Sequence, residues 1–130
     1  MHATKMTIEG TITALMLVVA AIHLIPISGF FGARALASLY GIDASDSDLQ
    51  ILMRHRGMLF GILGSFFAYA AFERELQPIA FVAAAVSLAS FFYLACSASA
   101  YGPPIRKIVI GDLVAALCLL GAVGLYAWSP

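Results

Sequence analysis

The ionisable side chains that could bind an anion or transfer a proton are few, and most lie inside or beside apolar segments. The run Arg54-His55-Arg56 supplies guanidinium groups, which bind carboxylates and phosphates through paired hydrogen bonds. Asp112 and His23 supply groups that can exchange protons. These residue types predict a site for an anionic group, and we expect its ligand-binding residues to be Arg54, Asp112, His23, His55 and Arg106.

Helical spacing suggests a partner for one of the arginines. At 100° per residue, Arg54 falls within about 50° of a glycine-rich face of its helix, so we expect it to point toward neighbouring helices. Asp112 lies at the flank of its own small-residue face, and buried charges in lipid are almost always paired. An Arg54–Asp112 pair could therefore be a structural salt bridge, or a site in which Arg54 holds an anion. Arg56 points away from that face and is expected to reach lipid phosphates.

The histidines allow two further interpretations. His23 could donate a hydrogen bond to a carbonyl, or it could relay a proton or contact a ligand. With His55 it could form the axial pair of a haem, but their expected depths differ by roughly 6 Å and His55 faces the other way. Asp43, Asp46 and Asp48 lack the glycine and terminal glutamate of a calcium loop. We therefore predict neither a metal site nor a cofactor.

Four apolar runs must position these residues. Each is about 20 residues long, which at 1.5 Å per residue spans the roughly 30 Å hydrocarbon core of a bilayer. The chain is 62% hydrophobic and 11% charged, whereas soluble domains are nearer 25% charged. We predict an all-α polytopic membrane protein, an antiparallel bundle of four transmembrane helices. It forms a single domain, 1–130, with spans at about 12–31, 51–72, 79–98 and 108–128.

The connections between these runs carry local signals. Asp46 or Ser47 is suited to cap the second long helix, and residues 34–40 predict a short helix lying on the membrane surface. Pro78 suits the first turn of the third long helix. The stretch 101–104 contains Pro103 and Pro104 and must interrupt any helix.

Basic residues predict the orientation, because loops rich in lysine and arginine remain in the cytoplasm. Five flank the first and third loops, and two mark the opposite side. We therefore expect loops 32–50 and 99–107 to be cytoplasmic and both termini to be periplasmic. The residues that flank these two loops are Arg34, Arg54, Arg56, Arg106 and Lys107, and those on the opposite side are Lys5 and Arg74.

Small residues recur at helical spacing and predict close helix packing. Gly57, Gly61, Gly64 and Ala68 form such a stripe in the second run. A similar stripe in the fourth run contains Gly111, Ala115, Cys118 and Ala122.

Several of these segments resemble a family of small uncharacterised bacterial inner-membrane proteins. The likeness rests on 38–42 and 52–64, and extends from His23-Leu24-Ile25-Pro26 to the segment 106–112. Some members carry the label phosphopantetheine adenylyltransferase. Soluble enzymes of that name use an α/β nucleotide fold with a His-x-Gly-His motif, and this chain has neither. The resemblance implies the architecture and no activity.

Three classes of function follow as alternatives. The first is an accessory protein whose cytoplasmic-leaflet pocket binds a lipophilic, amphipathic or anionic small molecule, or a partner's helix. The second is a membrane enzyme, an isomerase or hydrolase of a lipophilic substrate, with Asp112, His23 and Tyr93 as candidate catalytic residues. The third is a small transporter acting as a homo-oligomer. The lipid bilayer is the expected partner, and zero formal net charge without a basic stripe argues against nucleic acid.

Overall fold

The computed structural model describes residues 1–129 and is all-helical, as the sequence predicts. Pro130, the last residue of the predicted domain, lies outside the described residues. No strand occurs within residues 1–129. Two 3₁₀ segments, Ile25–Phe31 and Arg74–Leu76, adjoin the longer elements. The five α-helices are α1 (His2–Leu24), α2 (Ala33–Tyr40), α3 (Ser47–Ala70), α4 (Gln77–Ser97) and α5 (Pro103–Trp128).

Three helical stretches are long and apolar enough to cross a membrane: His2–Phe31, Arg74–Ser97 and Pro103–Trp128. Large apolar side chains on their outer surfaces are exposed, including Val82, Leu117 and Leu120, as expected for helices that face lipid. The helix α3 is equally long, with 24 residues. However, the charged side chains at its start lower its mean hydropathy, so the fourth span stays a prediction.

The first predicted span differs from the helix observed. We expected one continuous run over 12–31, whereas α1 begins at His2 and its α-helical part ends at Leu24. Pro26 is the physical reason, because its ring nitrogen has no hydrogen to donate to a carbonyl one turn earlier. The Ile25 amide bonds the Ile22 carbonyl, and the chain continues as a tighter 3₁₀ helix to Phe31.

The four long helices run antiparallel in chain order, and Arg74 ties together one end of the bundle. Its guanidinium lies 3.5 Å from Glu9 on α1 and donates to the Ser129 carbonyl after α5. It also lies 5.0 Å from the Tyr126 ring centroid. The start of α1, the α3–α4 connection and the end of α5 therefore share this end. The opposite end, called here the basic end, carries Arg34, Arg54, Arg56, Arg106 and Lys107.

The glycine stripe of α3 is a packing surface, as predicted. A methyl group placed on Gly57 would come within 2.7 Å of the Pro26 carbonyl oxygen. One on Gly61 would lie 2.5 Å from the Ile27 side chain, and one on Gly64 would be 2.7 Å from that of Leu24. These close approaches seat α3 on α1 and on the 3₁₀ segment that follows it.

Local signals at the basic end are also confirmed. The Asp46 carboxylate accepts the Leu49 amide at 2.8 Å and caps α3. Residues 34–40 lie in α2, which ends at Gly41 with a left-handed φ of 63°. The helix α2 folds back onto the bundle, since Leu36, Tyr40 and Ala44 are buried with Ile105 and Ile108 packed against them.

Candidate functional site

A cavity of about 290 Å³ lies at the basic end, where all five helices contribute to its walls. Its apolar lining includes Ile22, Leu39, Phe60, Phe91 and Ile108. Its polar lining includes His23, Ser87, Tyr40, Arg56, Lys107 and Asp112. An apolar pocket with a few convergent polar groups is the usual form of a small-molecule site.

His23 is buried at 3% exposure, and both of its ring nitrogens have partners. Nδ1 lies 2.9 Å from the Val19 carbonyl oxygen one turn earlier, and Nε2 lies 3.1 Å from the Ser87 hydroxyl on α4. Because a carbonyl oxygen only accepts hydrogen bonds, Nδ1 carries a proton. In the neutral ring, Nε2 is then the acceptor, and the Ser87 hydroxyl donates to it. The predicted bond from His23 to a carbonyl is confirmed.

Aromatic rings fix the plane of the His23 imidazole. The Phe60 ring stacks on it at 5.9 Å between centroids, and the Phe67 ring meets it edge-on at 4.9 Å. Both rings come from α3, so α1, α3 and α4 meet at this residue.

Arg56 lines the cavity, and the expectation that it also reaches lipid phosphates stays a prediction. Its Nη1 donates to the Tyr40 hydroxyl at 2.7 Å. Its guanidinium carbon lies 4.8 Å from the Phe60 ring centroid and 5.4 Å from that of Tyr40. Tyr40 belongs to α2, and it reaches Arg56 because α2 folds back onto the bundle. The two rings hold the Arg56 charge beside the cavity.

Asp112 enters the same cavity from α5, together with Lys107. The Asp112 carboxylate and the Arg56 guanidinium line the same cavity without forming a salt bridge. The lining thus carries two positive charges, Arg56 and Lys107, and one negative charge, which gives a formal excess of one positive charge.

The predicted Arg54–Asp112 pair is not formed. Arg54 Nε donates to the Phe30 carbonyl at 2.7 Å, and its guanidinium carbon lies 5.5 Å from the Phe30 ring centroid. The reason is that the glycine face of α3, which Arg54 shares, packs on the 3₁₀ segment rather than on α5. Within residues 1–129, the salt bridge observed joins Arg74 to Glu9.

Three other candidate residues are exposed and lie outside the cavity lining: His55, Tyr93 and Arg106. Tyr93 is 72% exposed and lies outside the lining that contains His23 and Asp112, so the cavity does not bring the three candidate catalytic residues together. His55 is likewise not placed beside His23. No cluster of three or more His, Cys, Asp or Glu residues that could hold a metal ion occurs in the part of the chain that is described.

Sequence reasoning missed Lys107, Ser87 and the aromatic wall. One signal was available, because Pro104, Lys107, Ile108, Gly111 and Asp112 follow one another at spacings of three, one, three and one, which is a single helical face. All five line the cavity. No comparable signal identifies Ser87, since a serine in a small-residue stripe is compatible with packing alone.

Comparison with known proteins adds no identification. No protein-family model, curated protein or solved structure matches the chain. The function must therefore be argued from the cavity itself.

Proposed function

We propose that the protein is a bacterial inner-membrane protein of four spans that binds an anionic amphiphile in the cavity at its basic end. The observation that carries the proposal is the pairing of Arg56 and Lys107 with an apolar wall in one cavity. Two cations suit a phosphate or carboxylate. Phe60 and Phe91 suit an acyl chain.

The membrane setting rests on three helical stretches that are apolar enough to span. In this proposal α3 is the fourth span, retained because its glycine face packs on α1. The basic end faces the cytoplasm by the positive-inside rule, which places loops 32–50 and 99–107 there and both termini in the periplasm. The cavity then opens at the level of the cytoplasmic headgroups.

The size of the cavity suits a small molecule. The cavity measures about 290 Å³. It is about twice the 150 Å³ of an engineered cavity that admits benzene.

Direct binding tests the proposal. Native mass spectrometry of the detergent-purified protein would compare a glycerol phosphate bearing one acyl chain with the uncharged monoacylglycerol of the same chain length. We expect the phosphate to bind and the uncharged molecule to bind at least tenfold more weakly, because charge-assisted hydrogen bonds contribute about 1.5–3 kcal/mol.

Adjacent basic residues provide matched controls. Lys107→Ala removes a cation from the lining, whereas Arg106→Ala removes its neighbour, which is equally classed as exposed but lies outside the lining. We expect only Lys107→Ala, and likewise Arg56→Gln, to weaken binding of the acyl glycerol phosphate by tenfold or more. Equal binding by all variants, or equal affinity for the charged and uncharged molecules, would overturn the proposal.

A further inference from the structure

The hydroxyl of Ser87 bonds a side chain of another helix, whereas that of Thr13 bonds a backbone carbonyl, that of Ala71, when it reaches a distant element. Several other hydroxyls on the helices bond their own helix. Those of Thr7, Thr11, Ser90 and Ser97 each bond a carbonyl three or four residues earlier in the same helix. The Ser87 hydroxyl instead meets His23 Nε2 at 3.1 Å, across the gap between α4 and α1. Both side chains line the cavity.

This geometry has the parts of an activated nucleophile. A serine hydroxyl is a weak nucleophile until an adjacent base accepts its proton, and the base must be oriented by a third group. Here the Val19 carbonyl accepts from His23 Nδ1 at 2.9 Å and leaves Nε2 as the basic nitrogen. The Phe60 and Phe67 rings hold the imidazole plane.

We propose that Ser87 and His23 form a nucleophile–base pair that cleaves an acyl ester of the amphiphile bound in the cavity. This rests on the proposed function, because the cavity must first hold such a molecule. The substrate class is an ester whose acyl carbonyl lies a short distance from a phosphate or carboxylate.

The position of the pair relative to the cations defines that distance. The Arg56 guanidinium carbon lies 4.8 Å from the Phe60 ring centroid, and the same ring stacks on the His23 imidazole at 5.9 Å. The Phe60 ring therefore separates a headgroup at Arg56 from the base that acts on the ester. A glycerol phosphate esterified with an acyl chain has this spacing between its charge and its ester.

The reaction balances with water as the second reactant. Ser87 Oγ attacks the acyl carbon while its proton passes to His23 Nε2, and Arg56 and Lys107 keep the anionic headgroup in place during the reaction. The bond from the acyl carbon to the glycerol oxygen breaks, and that oxygen takes the proton from Nε2. Water then attacks the Ser87 ester, gives a proton to Nε2 and releases the fatty acid, which restores the Ser87 hydroxyl.

A long-chain alkyl fluorophosphonate tests the nucleophile directly, because an activated serine displaces its fluoride and keeps the phosphonate. We expect intact-mass and peptide analysis of the purified protein to place one adduct on Ser87. Ser87→Ala should abolish it, and His23→Gln should slow labelling at least 100-fold, since general bases typically contribute 10²–10⁴-fold. Ser90→Ala, one turn away and exposed, is the matched control and should label normally.

Binding of the acyl glycerol phosphate, measured in parallel, separates the two proposals. Binding without labelling of Ser87, or labelling that His23→Gln leaves unchanged, would overturn the catalytic pair and leave the binding site standing. If the wild-type protein neither binds the acyl glycerol phosphate nor is labelled at Ser87, the proposed function is overturned as well. The wild-type labelling and Ser87→Ala decide the outcome even where His23→Gln fails to fold.

Discussion

At the scale of single residues, hydrogen bonding determines what His23 can do. A buried ring nitrogen without a partner costs about 1–3 kcal/mol, and both nitrogens are satisfied here by Val19 and Ser87. The same two bonds assign the proton to Nδ1 in the neutral ring. The same arrangement therefore satisfies both ring nitrogens and leaves Nε2 unprotonated, so that it can accept the Ser87 proton.

Gly111 provides a test of the cavity that changes no charge. It lines the cavity, and a methyl group placed on it would meet nothing within 4 Å. We expect Gly111→Leu to fill part of the cavity and to weaken binding of the acyl glycerol phosphate at least tenfold, with thermal stability retained.

Gly124 is the matched control for this substitution. It lies on the same helix, is exposed and also has open space around it. Gly124→Leu should leave binding unchanged in the same mass-spectrometric titration. Equal affinity in the two variants would mean that the amphiphile does not occupy the cavity.

At the scale of elements, α2 completes the cavity. It is only eight residues long, yet it contributes Leu39 and the Tyr40 hydroxyl that accepts from Arg56. Gly41 ends it at φ 63°, and an added methyl there would approach the Pro104 ring to 2.8 Å. Both the backbone conformation and the contact with α5 therefore require glycine at this position.

The packing of α3 yields an element-scale prediction. Gly57→Ala would press a methyl group against the backbone carbonyl of Pro26, which cannot rotate away as a side chain can. We expect a loss of about 1–3 kcal/mol of unfolding free energy, as for other overpacked sites. Gly124→Ala should be neutral or stabilising by up to about 1 kcal/mol, because alanine favours helix. Thermal unfolding in detergent measures both, and equal midpoints would contradict the packing described.

At the scale of the whole molecule, charge is distributed unevenly between the two ends. The basic end carries five of the lysines and arginines, whereas Arg74 lies at the opposite end with Glu9. This asymmetry is the basis of the proposed orientation.

Single cysteines would test both the orientation and the number of spans. In a background with Cys96 and Cys118 replaced by serine, we expect Lys5→Cys and Glu73→Cys to react with a membrane-impermeant maleimide in intact spheroplasts. Ser45→Cys should react only after permeabilisation. Labelling of positions 45 and 73 from the same side would show that α3 does not cross the membrane.

Features that depend on a few neighbouring residues were predicted better from the sequence than those that depend on the tertiary packing of the helices. The cap at Asp46 and the glycine stripe follow from local spacing, and both are confirmed. The sequence predicted that Arg54 lies on the glycine face of α3 and that Arg56 points away from it, but it did not predict their partners. The glycine face packs on the 3₁₀ segment instead of α5, and Arg56 meets Tyr40 of α2. Helical phase places them about 200° apart, but only the positions of α2 and the 3₁₀ segment decide which face meets the cavity.

The polar start of α3 has a consequence for biosynthesis. In the arrangement we propose, α1, α4 and α5 partition from the translocon on their own hydrophobicity, whereas α3 enters lipid with the run Arg54-His55-Arg56 near its leading end. Its retention then depends on α1, already inserted, offering the groove that its glycines fit. In that proposed arrangement, correct membrane insertion of the protein is a cooperative event between nascent helices.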